Sequence, residues 1–278
     1  MIPLLLACAE EPVPAAEACS LDDSVEVVVV RTIKIHVASD EGVSDGFDLD
    51  GESSTGTGSS GCGIADYVSP TGKPGIDNAF SLLVPTMETT EAKIATIEGL
   101  IQSAIDSGEL LIAFELGGLE SWENDSCVSL RAGQAYGDAM LGTDGLLLDG
   151  QTFDHDTGAP PADAEDGAVV DGVFEAWGVS IDIPAQILNA YLTLPLRNGA
   201  IRIERDGDDL YRGVIGAGIR ISYLQEVTLT ENVDPVVAEL LGTVLDYNAD
   251  LSDPDDGACG AISMTLSFEG VGAYWYAD

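Results

Sequence analysis

The string Asp45-Gly46-Phe47-Asp48-Leu49-Asp50-Gly51-Glu52 sets carboxylates at alternate positions of a Gly-containing turn. Side chains spaced that way can converge on one hard cation, as in calcium loops. The EF-hand register fails, because Gly46 takes its first ligand position and Thr57 that of its final bidentate Glu. A second acidic loop over residues 250–257 offers Asp250, Asp253, Asp255 and Asp256 just before Cys259, with Pro254 interrupting any regular repeat. Two outcomes fit both loops. One is a structural calcium drawn from Asp45, Asp48, Asp50, Glu52, Asp250, Asp253, Asp255 and Asp256; the other is ordinary surface turns in a chain rich in Asp and Gly.

Other strings resemble catalytic motifs and lack their context. Gly42-Val43-Ser44-Asp45-Gly46 matches GxSxG, but a nucleophile elbow joins a strand to a helix and this string lies between polar turns. Residues 56–61 match GxGxxG without opening a helix. His36 and His155 are the only histidines, too few for a zinc enzyme or a Ser-His-Asp hydrolase to be assembled readily. A glycosidase needs only two carboxylates, which Asp48, Asp50 and Glu52 could supply. Trp122, Trp177, Trp275, Tyr274 and Tyr276 could line a sugar-binding face, or be buried at strand ends. No catalytic residue is assigned.

The cysteines point to export. Leu5-Leu6-Ala7-Cys8 matches a lipobox, which assigns Cys8 as a lipid-carrying thiol and residues 1–7 as signal peptide. The apolar stretch is short and no Lys or Arg precedes Arg31, so the expectation is a start inside the hydrophobic region of a longer precursor. Cys19, Cys62, Cys127 and Cys259 remain, enough for two disulfides with three possible connectivities. Both acidic loops neighbour cysteines and could be stapled together.

Ten Lys and Arg against 49 Asp and Glu give a net charge of −39, which repels nucleic acid and anionic lipid heads. With 45% hydrophobic residues the charge must coat a real core. No internal apolar run reaches the roughly 18 residues of a membrane span, leaving the acyl chain as the expected membrane attachment.

The elements that position these residues read mostly as strands. Residues 25–37 (VEVVVVRTIKIHV) form a first core strand, and residues 40–75 a long acidic Gly/Ser loop. Asp77 and Asn78 could cap a short helix over residues 79–83. An amphipathic helix over residues 90–107 is capped by Thr90 and stopped by Gly108. Strands follow at 110–116, 127–132, 168–177, 179–183, 192–196, 200–205, 210–217 and 262–268, with Asp206-Gly207 as a hairpin turn and a second helix over 235–247 behind Asp234 and Pro235. The fold expected is α+β and mainly β: an antiparallel, sandwich-like sheet with amphipathic helices on one face. Residues 8–22 read as lipidated cysteine and tether, and 23–278 as a single domain.

GFDLDG at 46–51, followed by Cys62-Gly63, Asp66, Ser69-Pro70, Gly72 and Pro74-Gly75-Ile76-Asp77-Asn78, resembles a group of secreted proteins and lipoproteins of myxobacteria and their relatives. Residues 107–111, 123–127, 149–154 and 256–259 extend the likeness over most of residues 40–268. The resemblance implies an envelope location and one shared architecture, and no particular reaction. The function expected is thus that of a non-catalytic, lipid-anchored protein of the bacterial outer membrane, its acidic loops structural and its protein or glycan partner open. The alternative is a cell-surface carbohydrate-binding module or glycoside-active enzyme.

Overall fold

A computed structural model describes residues 25–56, 61–88, 94–155, 162–187, 190–207, 209–230, 244–253 and 257–276. In chain order the elements are β1 (Val25–Ile35), β2 (Tyr67–Val68), β3 (Pro74–Ile76), a 3-10 turn (Ala79–Leu83) running into α1 (Val84–Met87), α2 (Ile94–Asp106), β4 (Leu111–Gly117), β5 (Asn124–Tyr136) and β6 (Gln151–His155). There follow β7 (Ala162–Val170), β8 (Val173–Ile187), β9 (Ala190–Arg205), β10 (Leu210–Arg220), α3 (Ile221–Thr230), β11 (Leu251–Ser252) and β12 (Cys259–Trp275).

Eight of these strands close an antiparallel barrel, in the order β1-β4-β5-β7-β8-β9-β10-β12, with β12 returning to pair β1. The sandwich expected from the strand pattern is therefore wrong, and so is the placing of helices on its face. The physical reason is that sandwich and barrel share the same local alternation and turns. They differ in whether the first and last strands meet, a pairing between Val27 and Ala273 that no local signal encodes.

Alternation along the strands sends apolar side chains inward and charges outward. Phe174 and Ala176, Ile201 and Ile203, and Ile215, Ala217 and Ile219 are buried, while Glu175, Arg202, Glu204 and Arg212 between them reach the surface. This is the reverse of a lipid-spanning barrel, whose outer band is apolar and whose lumen is polar. Among the described residues no helix is long and apolar enough to cross a membrane.

β6 pairs parallel with β12 and antiparallel with β5, so it completes a second, five-strand circuit through β12, β1, β4 and β5. That is why all seven residues of β4 are buried: each face lines one circuit. β4 pairs with β1 only as far as Val29, and β7 with β8 only as far as Glu175, which leaves two bare strand edges. α2 lies against both strands. It buries Ile94, Ile97, Ile101 and Ile105, while Glu98 accepts the Ile35 N–H and Gln102 donates to the Arg31 carbonyl. The helix thus fills a gap in the wall and satisfies an edge that would otherwise be open. Its expected cap, Thr90, lies outside the described residues.

The single strand expected over 168–177 is a hairpin, turned at Asp171-Gly172 with φ of 52° and 86°. Two positive φ values make the two-residue turn that suits strand twist. Conversely, the separate strands at 192–196 and 200–205 are one strand, β9, and 179–183 continues β8 through bulges. α3 was not expected. Of the helix at 235–247, only residues 244–247 are described, and they are helical.

Candidate metal centre

The long loop after β1 is tied to the outer wall of the barrel by two anchors. Phe47 stacks edge-on to Trp177 at 5.5 Å, with the Arg202 guanidinium 5.0 Å from its ring. Asn78 donates to the His36 carbonyl and to Ser44 Oγ and accepts the Thr265 N–H, so it ties the chain just after β1 and the loop to β12. Between the anchors, Asp77 N–H donates to the Phe47 carbonyl at 2.9 Å, and Leu49 N–H donates to Asp77 Oδ2 at 2.6 Å. The Asp48-Leu49-Asp50 segment is thereby folded over Asp77.

Asp48, Asp50 and Asp77 each offer a carboxylate oxygen, all within 4.8 Å of one another. A cation with oxygen ligands at 2.3–2.6 Å holds them up to about 5 Å apart, so one ion can touch all three. Asp77 is only 1% exposed. Its Oδ1 and Asp48 Oδ1 are both buried with no hydrogen-bond partner among the described residues. Buried carboxylate oxygens left bare are costly unless something positive meets them. Gly75 permits the approach: a Cβ there would lie 3.2 Å from Asp48 Oδ2 and 3.1 Å from the Glu52 carbonyl, and its φ of 87° suits glycine.

The electrostatics agree. Burial pushes the Asp77 carboxyl up to about 8, with the charge of Asp250 adding to it against the lowering effect of the Leu49 N–H. Burial raises Asp250 to about 6, although Ser263 donates to it from both backbone and hydroxyl. Asp50 and Asp66 are raised by burial as well, and Asp48 adds to each. An all-carboxylate donor set of this kind suits a hard cation such as calcium and offers no soft ligand for zinc or copper.

Of the residues expected from the sequence, Asp48 and Asp50 converge. Asp45 does not: it accepts from Arg202 Nη1 at 3.0 Å and its N–H donates to His36 Nε2. Glu52 is exposed, its N–H closing a turn onto Asp50. Asp250 is a buried neighbour engaged by Ser263, and Asp253 lies 3.6 Å from Arg220 Nε. Asp255 and Asp256 lie outside the described residues. Asp77, the most buried of the three acids, reads from sequence as a helix cap. Its neighbour Asn78 starts the 3-10 turn but makes no side-chain capping bond.

Ser44 of the GxSxG string is buried and bonded to Asn78 and to the Asp45 carbonyl, a structural hydroxyl. His155, one of the two histidines, ends β6 and stacks on Trp275 at 3.7 Å.

Comparison with protein-family models, with curated proteins and with solved structures finds no match to this chain.

Cys62 and Cys259 form a disulfide that joins the long loop to the first residue of β12, beside the second acidic loop. Cys127 is disulfide-bonded too. Cys8 and Cys19 lie outside the described residues. The Cys62–Cys259 bond restrains the loop that carries Asp48, Asp50 and Asp66, so it should pre-organise the acidic cluster. The Cys62→Ala/Cys259→Ala protein is expected to bind calcium about tenfold more weakly, read by calorimetry. Unchanged affinity would show that Phe47 and Asn78 suffice to hold the loop.

Proposed function

We propose that this chain is a non-catalytic protein of a bacterial envelope, anchored by a lipid on Cys8, in which calcium on Asp48, Asp50 and Asp77 locks the long loop to the barrel. The observation that carries the calcium clause is that two of the three clustered acids, Asp48 and Asp77, each hold a buried Oδ1 with no hydrogen-bond partner among the described residues. Export is supported by the disulfide, since such bonds persist in oxidising compartments. A millimolar-calcium exterior also matches the weak affinities at which extracellular modules work.

Calorimetry on the full chain tests the site: one calcium per chain, with binding lost in Asp48→Asn. Absence of any calcium heat in the parent protein would end the proposal. Mass spectrometry of the protein matured from its precursor tests the anchor, which requires diacylglycerol on Cys8. An unmodified Cys8 with its leader retained would remove that clause and leave the metal site standing.

A further inference from the structure

A groove of about 580 Å³ crosses the outer face of β1, β12, β10 and β9, on the side of the barrel that Asp45 overhangs. Its volume falls within the range of small-molecule sites, about 300–1,000 Å³. Strand register fixes its floor as two parallel rows. One runs Arg202, Val214, Ser267, Lys34; the other runs Glu204, Arg212, Glu269, Thr32. Lys34, Arg202 and Arg212 are three of only ten Lys and Arg residues in a chain with 49 acids. On the same floor they stand beside the hydroxyls of Thr32 and Ser267.

The charges are mostly matched to each other. Arg202 contacts Asp45 and Glu175, Arg212 contacts Asp206 and Glu269, and Glu269 also takes Arg31 at 3.2 Å. Paired guanidinium and carboxylate groups are held in place and still present spare donors and acceptors. That array fits a ligand that both donates and accepts, a polyol. A doubly charged phosphate fits poorly, because it would lie across a floor that also holds Asp45, Glu204 and Glu269, whereas a single carboxylate can meet Lys34 at the end of its row. Lys34 differs: it is exposed and its side chain makes no hydrogen bond or ion pair among the described residues. It leaves room for one negative group.

We propose that this groove binds a short oligosaccharide carrying a single carboxylate, a uronic-acid sugar. Its carboxylate rests on Lys34 and its hydroxyls lie along Ser267, Arg212, Glu204 and Arg202. The proposal does not depend on calcium at Asp77.

The test is calorimetry on the full chain at low salt with three probes: a glucuronate-terminated trisaccharide, its neutral glucose analogue, and inorganic phosphate. A single carboxylate also keeps the probe from sequestering calcium. The acidic sugar should bind about tenfold more tightly than the neutral one, as a charge-assisted contact implies, and phosphate should give no heat. Lys34→Ala alters an exposed side chain and should erase the preference while leaving the weaker neutral binding. Ser267→Trp fills the floor and should abolish both. No sugar binding, phosphate binding as tight as sugar, or a preference that survives Lys34→Ala would each overturn the proposal.

Discussion

Calcium is expected to raise the melting temperature of this protein by roughly 10 °C, and Asp77→Asn to abolish the rise. A ligand at about a thousand times its Kd stabilises the state that binds it by about 4 kcal/mol, and a chain of this size gains about 2–4 °C per kcal/mol. The coupling is direct, because Asp77 is hydrogen-bonded by Leu49 while its neighbour Asn78 is bonded to β12. Neutralising the cluster therefore pulls the loop and the wall together. Asp77→Asn keeps the size and the Leu49 hydrogen bond of the acid and removes its charge. The calcium-free variant should melt no lower than the calcium-free parent, since it is spared a buried carboxylate facing Asp48 and Asp50. Glu52→Gln, at an exposed acid two residues beyond Asp50, should respond to calcium like the parent. Differential scanning calorimetry in calcium and in chelator reads all three. Equal melting of the parent in both would sink the metal assignment, and a calcium response surviving in Asp77→Asn would move it elsewhere.

How much of this centre the sequence discloses depends on the reach of each signal. Asp48 and Asp50 are legible because a DxD turn between glycines brings its own carboxylates together. Asp77 stands 27 residues after Asp50, and the Phe47–Asp77 bridge and the Leu49 hydrogen bond bring it there. Apolar residues around it gave no warning, since Ile76 and Ala79 read equally well as a strand end and a helix start. Asp45 misled for a converse reason: its side chain turns to Arg202, a residue on β9 that sequence spacing cannot place beside it. The barrel follows the same division. Alternation in β8, β9 and β10 is local and was readable, and Asp206-Gly207 marked its hairpin. Asp171-Gly172 carries the same signal, but the apolar run on both sides masked it as one strand. α2 is readable from its Ile94, Ile97, Ile101 and Ile105 stripe, whereas its position between β1 and β8 depends on strand edges left bare where the β1–β4 and β7–β8 pairings stop short.

Without calcium, stability should fall as pH rises from about 4 to about 8, and calcium should remove that fall. The sign follows from proton counts. In the unfolded chain the Asp77 carboxyl ionises near 3.8, and in the fold burial and Asp250 hold its proton to about 8. Between those values the folded state binds more protons, so each rise in pH favours unfolding. The contribution is present in full below 3.8 and is gone above about 8, at no more than about 1.4 kcal/mol per pH unit. From pH 5 to pH 9 this amounts to on the order of 4 kcal/mol, with Asp250, raised to about 6, adding in the same direction. General repulsion in a chain of charge −39 has the same sign, so the measured quantity is the difference between the parent and Asp77→Asn in urea midpoints taken in chelator. That difference should narrow as pH falls toward 5 and widen toward 9. Calcium competes with the proton for the same oxygens, so its binding at pH 7 should release protons and tighten as pH rises, which calorimetry in buffers of different ionisation heat can count. Parallel pH profiles for the parent and Asp77→Asn would show that Asp77 is already ionised at neutral pH, held by something other than a cation. In the parent, release of about one proton per calcium at pH 7 that dies away above about pH 8 would fix the titrating group and the calcium ligand as one side chain.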